Sequence, residues 1–196
     1  MDTKTYAKHI RDNLDFVNYS SLILSLGNTL NSPKDRWFKS DIIESAFATH
    51  SNGKFKHIDL VGRDHRDVEN NLDIEFKYLT DSLFTPKGKV LKKQTKTFKL
   101  KNWNGRNKGT TIEDPADFYL FAQQDSMAIM SFEEITPYLI QTDDSIEIQI
   151  PGDKLIFIFT PQDVKDKVII NENLGNNIKE ELRQLINKAS ANNYEY

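Results

Sequence analysis

Apolar positions in the first fifty residues recur at three- and four-residue spacing. TKTYAKHIRDNLDFV (3–17), YSSLILSLGNTL (19–30) and DRWFKSDIIESAFATH (35–50) each read as an amphipathic helix. Gly27 and the NSPKD segment separate the last two, with Ser32 or Asp35 offered as a helix cap. The period then changes. FKHIDLVG (55–62) opens a strand after the turn residues SNGK, and LDIEFKYL (72–79) alternates. In that second strand Leu72, Ile74, Phe76 and Tyr78 fall on one face and Asp73, Glu75 and Lys77 on the other. ADFYLFAQ (116–123) and MAIMSFEEI (127–135) read as two apolar strands joined through QDS. SIEIQIP (145–151) alternates, and the unbroken apolar run in KLIFIFT (154–160) predicts a strand buried on both faces. GNNIKEELRQLINKAS (175–190) closes the chain as a helix with Ile178, Leu182, Leu185 and Ile186 on its inner stripe.

Helices followed by a mixed set of strands, within 196 residues and without internal repeats, predict one domain of the α/β (mixed α+β) class. Residues 1–50 form a helical N-terminal region, 55–160 the core sheet and 161–196 a C-terminal helical region. The chain is 38% hydrophobic and 28% charged, as a soluble globular protein is. No stretch approaches the roughly 18 apolar residues of a membrane span, and the N-terminus carries no apolar signal core. The absence of cysteine removes disulfides and thiolate metal sites and fits a cytoplasmic location.

Charge distribution changes the picture more than net charge, which is −3. Residues 82–112 contain no acid and nine basic side chains, leaving 17 basic against all 29 acidic residues elsewhere, a balance of −12. A basic excursion on an acidic body is what an electrostatic docking surface for a polyanion looks like. The excursion is broken by Pro86, Gly88, Gly105 and Gly109, and it holds the strand-like segment KTFKLKN.

No phosphate-cradling glycine loop and no nucleophile elbow occur, and the four histidines show no paired metal-ligand spacing. Carboxylates with lysine remain. If Glu69–Asn71 is a three-residue turn, Asp67 pairs with Asp73 and shares a face with Glu75 and Lys77, one diagonal step, about 7–8 Å, from Glu75. A two-residue turn instead puts Asp67 opposite Ile74, on the wrong face. Two carboxylates converging on one point need a cation, and oxygen ligands without thiolate or imidazole favour Mg²⁺. A charged face on a half-buried strand is also the ordinary solvated side of a sheet. The basic segment directly behind the pair weighs toward chemistry on a phosphate.

These residues resemble the PD-(D/E)xK nuclease superfamily, whose pattern is an aspartate at a strand start, a hairpin, then Asp/Glu-x-Lys, here Glu75-Phe76-Lys77. LVGRDHRDVENNLDIEFKYL is similar within it to the PvuII-type Type II restriction endonucleases. Their GRE-x-x-D element is matched by Gly62 to Asp67, with Asp64 standing where a glutamate is expected. DFYLFAQQDSMAIMSFEEITPYL resembles the two core strands that follow. The resemblance covers about 45 of 196 residues. It departs in a shorter Asp67-to-Glu75 spacing and in lacking the histidine cluster after the site.

The resemblance implies a restriction-endonuclease-like core and a Mg²⁺-dependent endonuclease cutting double-stranded DNA at a short sequence to leave 5′-phosphates. It also implies a homodimer paired functionally with a cognate DNA methyltransferase. Asp67 and Glu75 would ligate Mg²⁺, Lys77 would position water or neutralise transition-state charge, and Asp64 joins the catalytic set. Asp59 is the alternative first aspartate, and Glu44, on the third helix, is a further acid that some members place near the metal. For DNA contact the expectation falls on Lys92, Lys93, Lys96 and Lys108 at phosphates, and on Asn102, Asn104, Arg106 and Asn107 at base edges. Leu22, Ile23, Leu24 and Leu26 offer a dimer contact or ordinary core. A structure-specific repair or junction-resolving nuclease and a non-catalytic DNA-binding protein are the competing readings.

Overall fold

The computed structural model describes residues 1–27, 36–60, 62–79, 83–85, 87–90, 95–101, 114–141 and 145–192. Ser32, Asp35, Lys92, Lys93, Asn102, Asn104, Arg106, Asn107 and Lys108 lie outside the described residues.

Three helices come first: α1 (Thr3–Asn13), α2 (Phe16–Gly27) and α3 (Arg36–Thr49). The expected first helix stops four residues early, because Leu14 turns extended and the Asp15 carboxylate accepts the Asn18 amide at 3.2 Å, starting α2. Strands β1 (Phe55–Leu60), β2 (Arg63–Asp67) and β3 (Leu72–Tyr78) form an antiparallel meander. Gly62, at φ +74°, supplies the left-handed turn between β1 and β2. β4 (Thr95–Lys101) then leaves the sheet, and β5 (Phe118–Ala122) returns parallel to β3. β6 (Met127–Ser131) and β9 (Ile156–Phe159) extend the main sheet, whose order is β1-β2-β3-β5-β6-β9. β7 (Leu139–Gln141) and β8 (Ser145–Pro151) pair with β4 in a second sheet of order β4-β8-β7. Lys96 sits in β4 opposite Ile150. Short α4 (Phe132–Ile135) and α5 (Pro161–Val164) and the long α6 (Glu172–Asn192) complete the chain.

The mixed α/β class expected from the patterning is present, as a mixed six-stranded sheet with several helices. MAIMSFEEI is not one strand. Ser131 caps α4 reciprocally with Glu134, a Ser-x-x-Glu box that ends β6. KLIFIFT forms the edge strand β9, where Ile158 and Phe159 are buried, half-buried Ile156 packs on the helix-side core and half-buried Phe157 packs on the core of the opposite face. In α6 Ile178 is half-buried, and the side chains of Leu182, Leu185 and Ile186 lie outside the described set.

The main sheet carries different cover on its two faces. Tyr6, Ile10, Tyr19, Ile23, Ile43 and Phe47 from α1–α3 pack on Ile74, Phe76, Phe118 and Leu120. Ile148 and Ile150 of the second sheet join Tyr119, Phe121, Ala128 and Met130 on the opposite face. β5 is thus apolar at every position because both its faces are covered. β3, one strand over, keeps the alternation of apolar and polar side chains, with Asp73 and Glu75 buried on its polar face. Ile23 and Leu26 are fully buried and Leu22 packs against the core, so these residues serve packing within the chain.

Phe47 fastens α3 to the meander, with ring centroids 5.0 Å from Phe55, 4.9 Å from His65 and 5.7 Å from Phe76. Phe47→Ala should lower unfolding free energy by about 3–5 kcal/mol in urea denaturation. A loss under about 1 kcal/mol would contradict this role.

Candidate active site

The β2–β3 connection is four residues long, Val68–Asn71, with Asn71 at φ +53°. The ladder pairs Asp67 with Leu72, Arg66 with Asp73 and His65 with Ile74. This differs by one residue from the expected register, and a one-residue difference moves a side chain to the other face. Asp67 therefore shares the helix-facing side with His65 and does not meet Glu75.

Asp67 instead builds the turn. One carboxylate oxygen accepts the backbone amides of Glu69 and Asn70 at 2.9 and 3.0 Å. The other accepts the Asn70 side-chain amide at 2.9 Å and lies 3.0 Å from His9 Nε2 on α1. Burial opposes its ionisation, but these hydrogen bonds and His9 outweigh burial and hold its pKa below the usual carboxylate value. Asp67 is a hairpin-to-helix tie, which corrects the expectation that it ligates Mg²⁺ with Glu75.

Asp64 takes the place expected of Asp67. The paired ladder ends at His65 and Ile74, and one step beyond it the Asp64 Oδ2 accepts the Phe76 backbone N–H at 2.6 Å. The Asp64 carboxyl is pushed up to about 8, first by burial and then by the charge of Glu75, with a smaller push from Glu44. Lys77 and the Phe76 amide act the other way. Glu75 is buried and bonds the Lys77 ammonium through Oε1, while its Oε2 is buried with no hydrogen-bond partner among the described residues. Burial works against the charge on Lys77, but Glu75, Asp64 and Glu44 outweigh it and raise its pKa. The side chain stays an ammonium near neutrality.

The remaining acids divide by position. Glu44 on α3 is tied into the meander: its backbone carbonyl lies 2.8 Å from His65 Nε2, and its carboxylate 3.4 Å from His57 Nε2. Its charge acts on both Asp64 and Lys77, so it belongs to the electrostatics of the site. Asp59 stands in β1, which pairs with β2 and is separated by it from β3; its side chain lies outside the described set. Sequence reasoning missed Tyr119, which pairs with Glu75 across the parallel β3–β5 ladder and is fully buried. Burial raises its phenol pKa, the Glu75 charge adds to that, and Arg63 opposes it. No local signal marks Tyr119, because parallel register is set by a connection of nearly forty residues (79–117).

Among the described residues no group of three or more His, Asp and Glu side chains is arranged to hold a metal ion. Two carboxylates suffice for Mg²⁺, which keeps several waters and completes its shell with substrate phosphate. The orphaned Glu75 oxygen and the hard-to-ionise Asp64 fit a divalent cation, which would satisfy the first and ionise the second.

The raised Asp64 pKa carries a sign. Between 3.8 and about 8 the folded state binds this proton more tightly than the unfolded chain. Stability therefore falls as pH rises through that window. Asp64→Asn should flatten the decline in a pH series of urea midpoints taken without divalent ions; an identical decline would place the titration elsewhere. Asp67→Ala should cost about 2–3 kcal/mol through the turn amides it leaves unmet. A stability equal to wild type would remove its role as a tie.

No protein-family model matches this chain, and no curated protein matches it.

Proposed function

We propose that the protein is a Mg²⁺-dependent nuclease that hydrolyses phosphodiester bonds of double-stranded DNA. The observation that carries this reading is the meeting of Asp64, Glu75 and Lys77 on adjacent strands, with buried Glu75 bonded to the Lys77 ammonium and the pKa values of Asp64 and Lys77 both raised by their surroundings. Asp64 and Glu75 would hold the ion. Bound there, Mg²⁺ would supply charge stabilisation to the phosphoryl group and a more acidic water. Lys77, kept protonated by its acidic neighbours, is a hydrogen-bond donor and a fixed positive charge. It is suited to hold the attacking water or to neutralise charge gathering on the phosphoryl oxygens, and unsuited to act as a base. Water adds to phosphorus as the bond to the 3′ oxygen breaks, leaving a 5′-phosphate and a 3′-hydroxyl. The apolar side of β3, packed on α1–α3, makes the strand a rigid support for these groups.

The acid-free segment 82–112 supports DNA as the substrate, since phosphate contacts by lysine and arginine supply most nucleic-acid affinity. The resemblance of GRDHRD and Glu-Phe-Lys to Type II restriction endonucleases narrows the proposal to cleavage at a short sequence. It extends the proposal to a homodimer working with a protecting methyltransferase, in a restriction-endonuclease-like core.

Digestion of linear duplex plasmid with Mg²⁺ should give discrete fragments. Asp64→Ala, Glu75→Ala and Lys77→Ala should each lose at least about 100-fold in cleavage rate. Glu75→Ala and Lys77→Ala should bind duplex DNA in EDTA within about threefold of wild type. Folded Asp67→Ala should still cut. Cutting by Glu75→Ala and Lys77→Ala at the wild-type rate would overturn the site. Mg²⁺ binding at pH 7 should also release close to one proton, read by calorimetry in buffers of different ionisation enthalpy, because Asp64 is protonated beforehand. Binding without proton release would place the ion away from Asp64.

A further inference from the structure

Arg63 opens β2 directly after the left-handed Gly62. Its guanidinium is held in an unfinished way. Nη1 lies 3.3 Å from Asp73 Oδ2, but Arg66 already grips that carboxylate with two bonds, at 2.7 and 3.0 Å. Nη2 bonds a single oxygen of Asp114. Nε is buried and has no hydrogen-bond partner among the described residues. The Nε–Nη2 edge is the side of the guanidinium fork that matches a carboxylate or phosphate with two parallel bonds. Here one of its two donors is used.

Location gives this edge its meaning. Arg63 Nη1 reaches Asp73, which stands two residues before Glu75 on the same face of β3, so Arg63 lies at the near end of the Asp64–Glu75–Lys77 cluster. The Arg63 side chain is 20% exposed, whereas that of Asp114 is 75% exposed. An ion pair with so open a partner is held weakly and exchanges readily. Asp114 is also the first described residue after the acid-free segment 82–112.

We propose that Arg63 binds a backbone phosphate of the DNA next to the reacting one, and that Asp114 occupies this place until the phosphate displaces it. The inference rests on the nuclease reading and adds to it a substrate-binding residue and an internal competitor. A phosphate engages Nε and Nη2 together and completes the edge that Asp114 half fills. Displacement returns the Asp114 carboxylate to water, where it is already mostly solvated. Asp73 stays paired with Arg66, so the exchange leaves no buried acid alone.

The test is a double-mutant cycle on the full chain, with duplex DNA binding measured in EDTA by fluorescence anisotropy and steady-state cleavage in Mg²⁺. Asp114→Ala should bind roughly three- to tenfold tighter and lower KM by a similar factor at unchanged kcat. Arg63→Ala should bind about tenfold or more weakly, and Arg63→Lys, which keeps the charge and loses the fork, should fall between. In the Arg63→Ala background, Asp114→Ala should have no effect. Glu133→Ala removes another exposed acid and should change affinity less than about twofold. Independent, additive effects of Arg63→Ala and Asp114→Ala, or equal effects of Asp114→Ala and Glu133→Ala, would overturn the displacement while cleavage by the wild type keeps the nuclease reading. A wild type that neither binds duplex nor cuts it would overturn both.

Discussion

The register of the β2–β3 hairpin decides which aspartate meets Glu75, and the rest of the site follows from it. Side chains alternate along a strand, so one residue more or fewer in the turn exchanges the two faces completely. With Asp67 opposite Leu72, Asp67 falls among the helices and Asp64 falls beside Glu75 and Lys77. The turn stabilises its own length. Asp67 accepts the amides of Glu69 and Asn70, and Asn71 takes the left-handed conformation that closes the loop. The residue expected to do chemistry is thus the one that sets the geometry for the residues proposed to do it.

Charge then accumulates in a place that can hold it only under tension. Glu75 is buried beside the fully buried Tyr119, and it pairs with the Lys77 ammonium. Asp64 gives way by holding its proton, since two ionised carboxylates with one ammonium would leave excess negative charge in a poorly solvated place. Such an arrangement destabilises the fold locally, which is a common property of sites organised to receive a ligand. A cluster serving stability alone would gain from pairing every oxygen, and the buried Glu75 Oε2 has no partner among the described residues.

The two-layer cover of the main sheet confines this tension. β5 and β6 are apolar on both faces because helices lie on one side and the second sheet on the other. β3 lies next to β5, and on its polar face Asp73 and Glu75 are buried while Lys77 is half-buried. Arg63 reaches Asp73 on that face and pairs with Asp114, which follows the basic segment in the chain.

Much of this was legible in the chain itself. Apolar spacing located α1–α3, β3, β5, β8 and α6, and the alternation of LDIEFKY placed Glu75 and Lys77 together on the face opposite Leu72, Ile74 and Phe76. Those features depend on local periodicity, which a sequence carries directly. The run of lysines without acids was equally plain. The partner of Glu75 was not legible, because a four-residue turn and a three-residue turn have the same composition and opposite consequences. Nor were the Glu75–Tyr119 pairing, the influence of Glu44, or the half-filled fork of Arg63. These depend on residues 20 to 51 positions apart, from Glu44 and Asp64 to Arg63 and Asp114, brought together by a parallel crossover and by helix packing. The sequence by itself determined which side chains carry charge and which strand presents them. Only the tertiary structure decided which of those charges face one another, because register and burial belong to pairs of distant segments and to no segment alone.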